Sequence, residues 1–253
     1  MSSDLNPTGR FSDRVGYYVK YRPRYARDAI EFFVQQAGLE PPDPIADVGS
    51  GTGILAEAFL GRGYTVYGVE PNAEMRAAGE DFLRGYDQFI SIDGTAEQTT
   101  LDTGAVNAIT CGQSFHWFDL SLTKKEFQRI LQPGGLLGLL WNTWQHQDSP
   151  LVTAYRALMT EFGTEYNRVA HTRIGETDYQ ALFQSYERVA FPNPISYDLD
   201  ALKGRALSSS YAPLPGHPNH APMMTALDAF FAEFEKDGVV TFHYETEVFY
   251  GKL

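Results

Sequence analysis

A disulfide within the chain is excluded, because Cys111 is the one cysteine among 253 residues. That suits a reducing compartment, and the cytoplasm is the expected location. No apolar run approaches the roughly 20 residues that span a bilayer. Residues 1–14 hold no apolar core, so a secretory leader is not expected. Positive charge is scarce: 20 Lys and Arg stand against 32 Asp and Glu, a formal net charge of −12. Nucleic-acid binders gather basic residues into a patch, whereas the basic clusters here, at residues 18–27 and 122–129, are short. Nucleic acid and anionic membrane are therefore not expected partners, although an acidic surface by itself often serves only solubility. The histidines show no metal-binding spacing and have no cysteine partners, so no metal is expected. Nothing in the chain speaks to its oligomeric state.

What is present is a regular alternation. With 43% hydrophobic residues the chain can bury a sizeable core. Short apolar runs at 45–49, 65–70, 89–93 and 105–111 read as strands, and the segments 54–60 and 72–83 read as helices, the second capped by Asn72. A helix after Asp119 carries Phe127, Ile130 and Leu131 on one face. Pro133, Gly134 and Gly135 then predict a turn into a buried strand at 135–141. Strands alternating with helices imply right-handed βαβ units and an α/β, doubly wound Rossmann-like sheet.

The second half differs. Residues 150–183 read as helical, 186–191 as a strand, and 198–235 as helix and loop, with Leu227, Phe230, Phe231 and Phe234 on one apolar face. Residues 240–250 alternate between apolar and polar, as in a half-exposed, antiparallel strand. The expectation is a single domain over 1–253: an N-terminal cap at 1–30, a cofactor-binding core at 31–142, and a helical insertion with C-terminal strands at 143–253. The insertion, residues 192–238, is long enough to serve as a lid.

The chemistry begins where the first strand turns into a helix, at Asp47, Gly49, Ser50, Gly51 and Gly53. Glycines there tolerate positive φ and leave backbone bare for a ligand. Glu70 ends the next strand, 21 positions beyond Gly49, an offset at which an acid holds ribose hydroxyls. Asp47 also has a plainer reading as a helix cap. A dinucleotide pyrophosphate seeks glycine amides free of nearby carboxylates. Asp47 at the loop is awkward for that ligand and favourable for S-adenosylmethionine, which carries an ammonium and a sulfonium.

At this point the sequence resembles the class I S-adenosylmethionine-dependent methyltransferases, of the type 11 and trans-aconitate methyltransferase-like kind. The resemblance rests on the stretches at 48–53, 69–75, 94–101, 113–119 and 131–142, and extends to Arg10–Val15, Tyr18–Tyr25 and Ser208–Gly216, as in uncharacterised bacterial enzymes. It implies seven strands with the last antiparallel. It also implies S-adenosyl-L-methionine as cofactor and a small-molecule methyl acceptor.

Carried onto this chain, the resemblance gives Gly49, Gly51 and Gly53 to the methionine part, Asp47 to its ammonium and Glu70 to the ribose. Pro71, Met75, Thr95, Ala96 and Glu97 fall to the adenine, and Gln113 and Ser114 face the methyl. Tyr18 and Arg22 would close over the site, Arg22 toward the cofactor's carboxylate. His116 stands at the catalytic position, as a base or a positioner, with Trp117 as wall. Asn142 and Tyr211 would line the acceptor side; Tyr211 could equally pack on the aromatic helix 227–234. One departure is at Thr143 and Trp144, where close relatives carry an arginine, so no anionic substrate follows from the relatives. Two rival functions stay open: a non-catalytic cofactor-binding module, and a nicotinamide-dependent oxidoreductase, which lacks its Tyr-x-x-x-Lys pattern here.

Overall fold

The computed structural model describes residues 15–164 and 174–253. Most of the motif at residues 10–15, and residues 165–173 of the predicted helical stretch, lie outside them. The chain runs α1 (Val15–Tyr21), α2 (Arg27–Gln36), β1 (Pro44–Val48), α3 (Ile54–Leu60), β2 (Thr65–Val69), α4 (Ala73–Leu83), β3 (Phe89–Ile92) and β4 (Val106–Gly112). After a short 3-10 turn at Phe115–Trp117 come α5 (Leu120–Ile130), β5 (Leu131–Trp144), α6 (Pro150–Phe162), α7 (Glu176–Leu182) and β6 (Ser185–Tyr197). The chain continues through α8 (Leu199–Leu207), α9 (His220–Phe234) and β7 (Val240–Lys252).

The seven strands form one sheet in the order β3-β2-β1-β4-β5-β7-β6. β1 to β5 are parallel neighbours, and β7 runs antiparallel to both β5 and β6. The expected α/β sheet with an antiparallel last strand is therefore present.

Alternation along the strands sends neighbours to opposite faces. Ile45, Val66, Ala108, Leu140 and Val248 join one core with α2 and α3, through Phe33 and Phe59. Ala46, Val69, Ile109, Leu139 and Phe249 join a second with α5 and α7, through Phe127, Ile130 and Leu182. A third cluster packs α6, α8 and α9 on the far ends of β6 and β7, around Tyr155, Leu202, Leu227 and Phe242. Asn72 caps α4 as predicted, its side chain accepting from the N–H groups of Glu74 and Met75.

Three boundaries differ from the sequence reading. Pro133, Gly134 and Gly135 do not break the chain between α5 and the strand. β5 runs through them, with Gly134 at φ +88, and its register against β4 slips between Val106 and Ala108. The stretch is a bulge in the ladder. β6 continues past Phe191 to Tyr197 despite Pro192 and Pro194, because it is an edge strand and a missing N–H on the open side costs no ladder bond. β7 alternates only as far as Glu245; Thr246 to Tyr250 are all buried, since the strand lies inside the sheet with helices on both faces there. No helix among the described residues is long and apolar enough to cross a membrane.

Candidate active site

The carboxyl ends of β1, β2, β4 and β5 meet at one cleft, where ligands of open α/β sheets bind. β1 ends in Asp47 and Val48, and Gly49 at φ +68 and Gly51 at φ +57 turn the chain into α3. The turn is anchored to β2: the N–H groups of Gly49 and Ser50 donate to the Val69 carbonyl at 2.9 and 3.1 Å. The space over Gly49 is tight, because an added Cβ would stand 2.6 Å from the Ser114 Cβ. Ser114 in turn donates to the Val48 carbonyl at 2.9 Å.

The cleft has two connected lobes that share Tyr18, Gly49, Gly51, Gly112 and Gln113. One, with about 670 Å³ of open space, is also lined by Arg22, Asp47, Asn142, Arg205 and Tyr244. The other, about 630 Å³, is also lined by Glu70, Pro71, Met75, Trp117 and Phe118. Ser50 reaches the first lobe and Ser114 the second.

Asp47 is 1% exposed, and neither carboxylate oxygen has a partner in good hydrogen-bond geometry. Burial raises its pKa to about 7, opposed by the nearby Ala56 N–H and Thr110 hydroxyl. Glu70 differs. Its two oxygens accept from the N–H groups of Gly51 and Asn72, each at 2.9 Å, and burial lifts its pKa while those bonds oppose the rise. Arg22 donates to the Ser208 carbonyl at 3.1 Å, and its guanidinium lies over the Tyr18 ring at 4.8 Å. Its Nε is buried without a partner. Gln113 holds φ +58, an uncommon conformation for a residue with a side chain, and donates to the Asn142 carbonyl at 3.1 Å. Observed backbone outliers of this kind gather at functional sites.

The remaining sequence candidates line neither lobe. Gly53 sits at the head of α3 with Leu83 against it. Thr95 closes a bridge with Gln98, Ala96 is buried in the second core, and Glu97 accepts the Asp119 N–H at 2.8 Å. Tyr211 packs at the edge of the third cluster. His116 lies between Trp117, at 4.6 Å, and Trp141, at 5.7 Å, in tilted ring contacts. Its burial lowers its pKa to about 4, which leaves a neutral imidazole too weakly basic to take up a proton efficiently near pH 7.

Sequence reasoning missed Arg205 and Tyr244. Arg205 sits on α8 between Leu202 and Leu207, at 8% exposure, and its signal was a lone cation inside an apolar helix face. Tyr244 falls on the buried, apolar side of β7, and its hydroxyl is the clue. Asn142 also does more than line the cleft. Its amide N–H groups reach the carbonyls of Pro23 and Arg24 at 3.3 and 3.2 Å, which fastens the segment after α1 to the end of β5.

Residues 46–139 match the model of a family described as a methyltransferase domain. An uncharacterized methyltransferase of Mycobacterium tuberculosis is 38% identical over 134 residues, which cover 53% of this chain and 52% of that protein. The chain thus spans about half the length of the curated relatives it matches. A proposed type II methyltransferase from Anaeromyxobacter dehalogenans superposes with a TM-score of 0.62 at 19% identity, covering 92% of this chain and 98% of that one. The YcgJ protein from Bacillus subtilis gives a TM-score of 0.56 at 19% identity, covering 90% and 100%. At that identity the likeness speaks for the fold.

Proposed function

We infer that this chain is a class I methyltransferase that moves a methyl group from S-adenosylmethionine to a small-molecule acceptor, a reading supported by its fold and by the family match of residues 46–139. The observation that carries this reading is the Asp47 carboxylate, buried beside the glycine turn with no cation paired to it and no partner in good hydrogen-bond geometry among the described residues. A buried carboxylate pays a desolvation penalty that a cationic ligand group relieves. A pyrophosphate at the glycine turn would meet repulsion from Asp47.

When bound, the cofactor supplies a methyl on a sulfonium, an electrophile that needs no activation by the protein. The residues of the cleft bind and orient. Asp47 holds the ammonium, Arg22 faces the carboxylate, and Glu70 offers its remaining lone pairs to the ribose hydroxyls. Gly49 and Gly51 leave the backbone bare at the closest approach, while Met75, Trp117 and Phe118 enclose the flat base. Segments from α1 and α8 roof the first lobe and exclude water, the main service required for an in-line displacement. His116 is assigned to packing behind Trp117, and the acceptor reacts through an atom that already bears a free lone pair.

Calorimetry with S-adenosylmethionine, S-adenosylhomocysteine and NADH tests the reading. Saturable binding of the first two, weakened at least about tenfold in Asp47→Asn, is expected. Binding of NADH alone would make the chain an oxidoreductase. Cofactor binding with no product from any acceptor would leave a binding module.

A further inference from the structure

Besides Arg22, which the reading above gives to the cofactor's carboxylate, the first lobe contains a second cation, and this one is buried. Arg205 lines the lobe, is 8% exposed, and has no carboxylate within ion-pair distance among the described residues. A guanidinium carries five N–H donors. Its Nη1 donates to the Ser209 hydroxyl at 3.1 Å and its Nη2 to the Tyr244 hydroxyl at a long 3.4 Å, while its Nε has no partner. Ser209 is itself buried, so the fork is held in place from behind.

Desolvating a charge without a counter-ion is costly, and the charged groups lining the two lobes show what is missing. They are Arg22 and Arg205 on one side, Asp47 and Glu70 on the other. S-adenosylmethionine adds one net positive charge: its sulfonium and ammonium outnumber its one carboxylate. The loaded cleft is therefore left one negative charge short.

We propose that the acceptor is a small monoanion gripped through a carboxylate by Arg205, with Tyr244 and Ser209 fixing the guanidinium plane. This rests on the methyltransferase reading above and adds the chemical class of its substrate. A planar carboxylate matches the guanidinium fork in two parallel N–H bonds, and a single negative charge brings the loaded cleft to neutrality.

The test uses the whole chain saturated with S-adenosylmethionine, whose sulfonium supplies the charge counted above, titrated with benzoate, phenylacetate and hexanoate and with the amide of each. At least one acid is expected to bind about tenfold or more tightly than its amide, the scale of a hydrogen bond to a charged group. Arg205→Met should abolish that preference while leaving the affinity for S-adenosylhomocysteine within about threefold. Should Arg205→Met fail to fold, Arg205→Lys, which keeps the charge but loses the fork, must lower the preference. Acids and amides binding alike, or an unchanged preference in the variant, overturns the proposal. A tenfold loss of S-adenosylhomocysteine affinity in Arg205→Met would assign Arg205 to the methionine carboxylate and also overturn it, with the methyltransferase reading intact. Failure of the wild-type protein to bind S-adenosylhomocysteine would instead remove the reading on which it rests.

Discussion

Thr246 donates its hydroxyl to Asn142 Oδ1 at 2.6 Å, and the same oxygen of Thr246 accepts the Ala26 N–H at 2.9 Å. One buried hydroxyl thus joins the end of β5, the middle of β7 and the residue that opens α2. Asn193 on β6 adds its amide to both Asn142 Oδ1 and the Arg24 carbonyl. The segment that roofs the cleft is held down by this knot.

Thr246→Val keeps the shape of the side chain and leaves the buried Ala26 N–H without an acceptor. Urea unfolding should show a loss of about 1–3 kcal/mol. S-adenosylhomocysteine affinity should fall as well, because residues 22–26 lose their anchor. A variant as stable as the wild type would mean that the knot is cosmetic.

Asp47 controls a pH response. Its folded pKa of about 7 lies above the ordinary 3.8. Between those values the folded chain keeps a proton that the unfolded chain has lost, so ligand-free stability falls as pH climbs through the window and the full penalty stands above it. Ligand-free Asp47→Asn should therefore be more stable than wild type at pH 8, with the difference shrinking toward pH 4. Wild-type affinity for S-adenosylhomocysteine should decline as pH drops below about 7, because the protonated acid must ionise to hold an ammonium. Thermal shifts at several pH values and calorimetry check both halves.

Glu70→Ala removes the acceptors of two backbone N–H groups as well as the proposed ribose contact. Both melting temperature and cofactor affinity should fall, the latter by roughly 1.5–3 kcal/mol. Glu70→Gln retains one acceptor oxygen and should recover more of the stability than of the affinity. Parallel recovery of the two would place the ribose elsewhere.

Glu126 sets an acid limit far from the cleft. Its Oε1 accepts the Thr99 N–H at 2.7 Å and the Thr99 hydroxyl at 2.6 Å, and Arg129 pairs with it. The hydrogen bond from Arg129 is the largest influence holding its pKa down to about 2, against an ordinary 4.5. A depressed carboxylate stabilises the fold fully above pH 4.5 and loses that contribution as pH falls through the folded value. Glu126→Gln should lower stability at pH 7 and flatten the acid limb between about pH 4.5 and 2 in a denaturation series.

Local signals were legible in the chain. The Asn72 cap, the strand-to-helix glycine turn and the acid at the end of β2 each lie within a few residues of what they act on. Asp47 and Glu70 could be paired from spacing alone. Boundaries set by neighbours were harder to read. Pro192 and Pro194 argue for a strand end until β6 is known to be an edge, and Pro133 to Gly135 argue for a turn until β4 is there to take up the bulge. Arg205, Tyr244, Asn193 and Thr246 were invisible as a group, because their partners lie far off in sequence: Asn193 and Thr246 meet Asn142 across 51 and 104 residues, and Arg205 meets Tyr244 across 39. The surroundings of His116 were hidden for a similar reason: its motif position was plain, but Trp141, which lies beside it, belongs to another strand.

Strand β7 lies between β5 and β6, which do not pair with each other. On a ribosome, where the amino-terminal part emerges first, β1 to β5 can assemble early, but β5 then presents a bare edge. β6 has no partner until residues 240–252 arrive. Such long-range pairing is slow, and an open edge during the wait invites association between nascent chains. Tyr244 and Thr246 ride on that same late strand. The first lobe and the knot beneath its roof therefore come into being together, once residues 240–252 have emerged, so a chain lacking them has no complete cleft with which to capture a ligand.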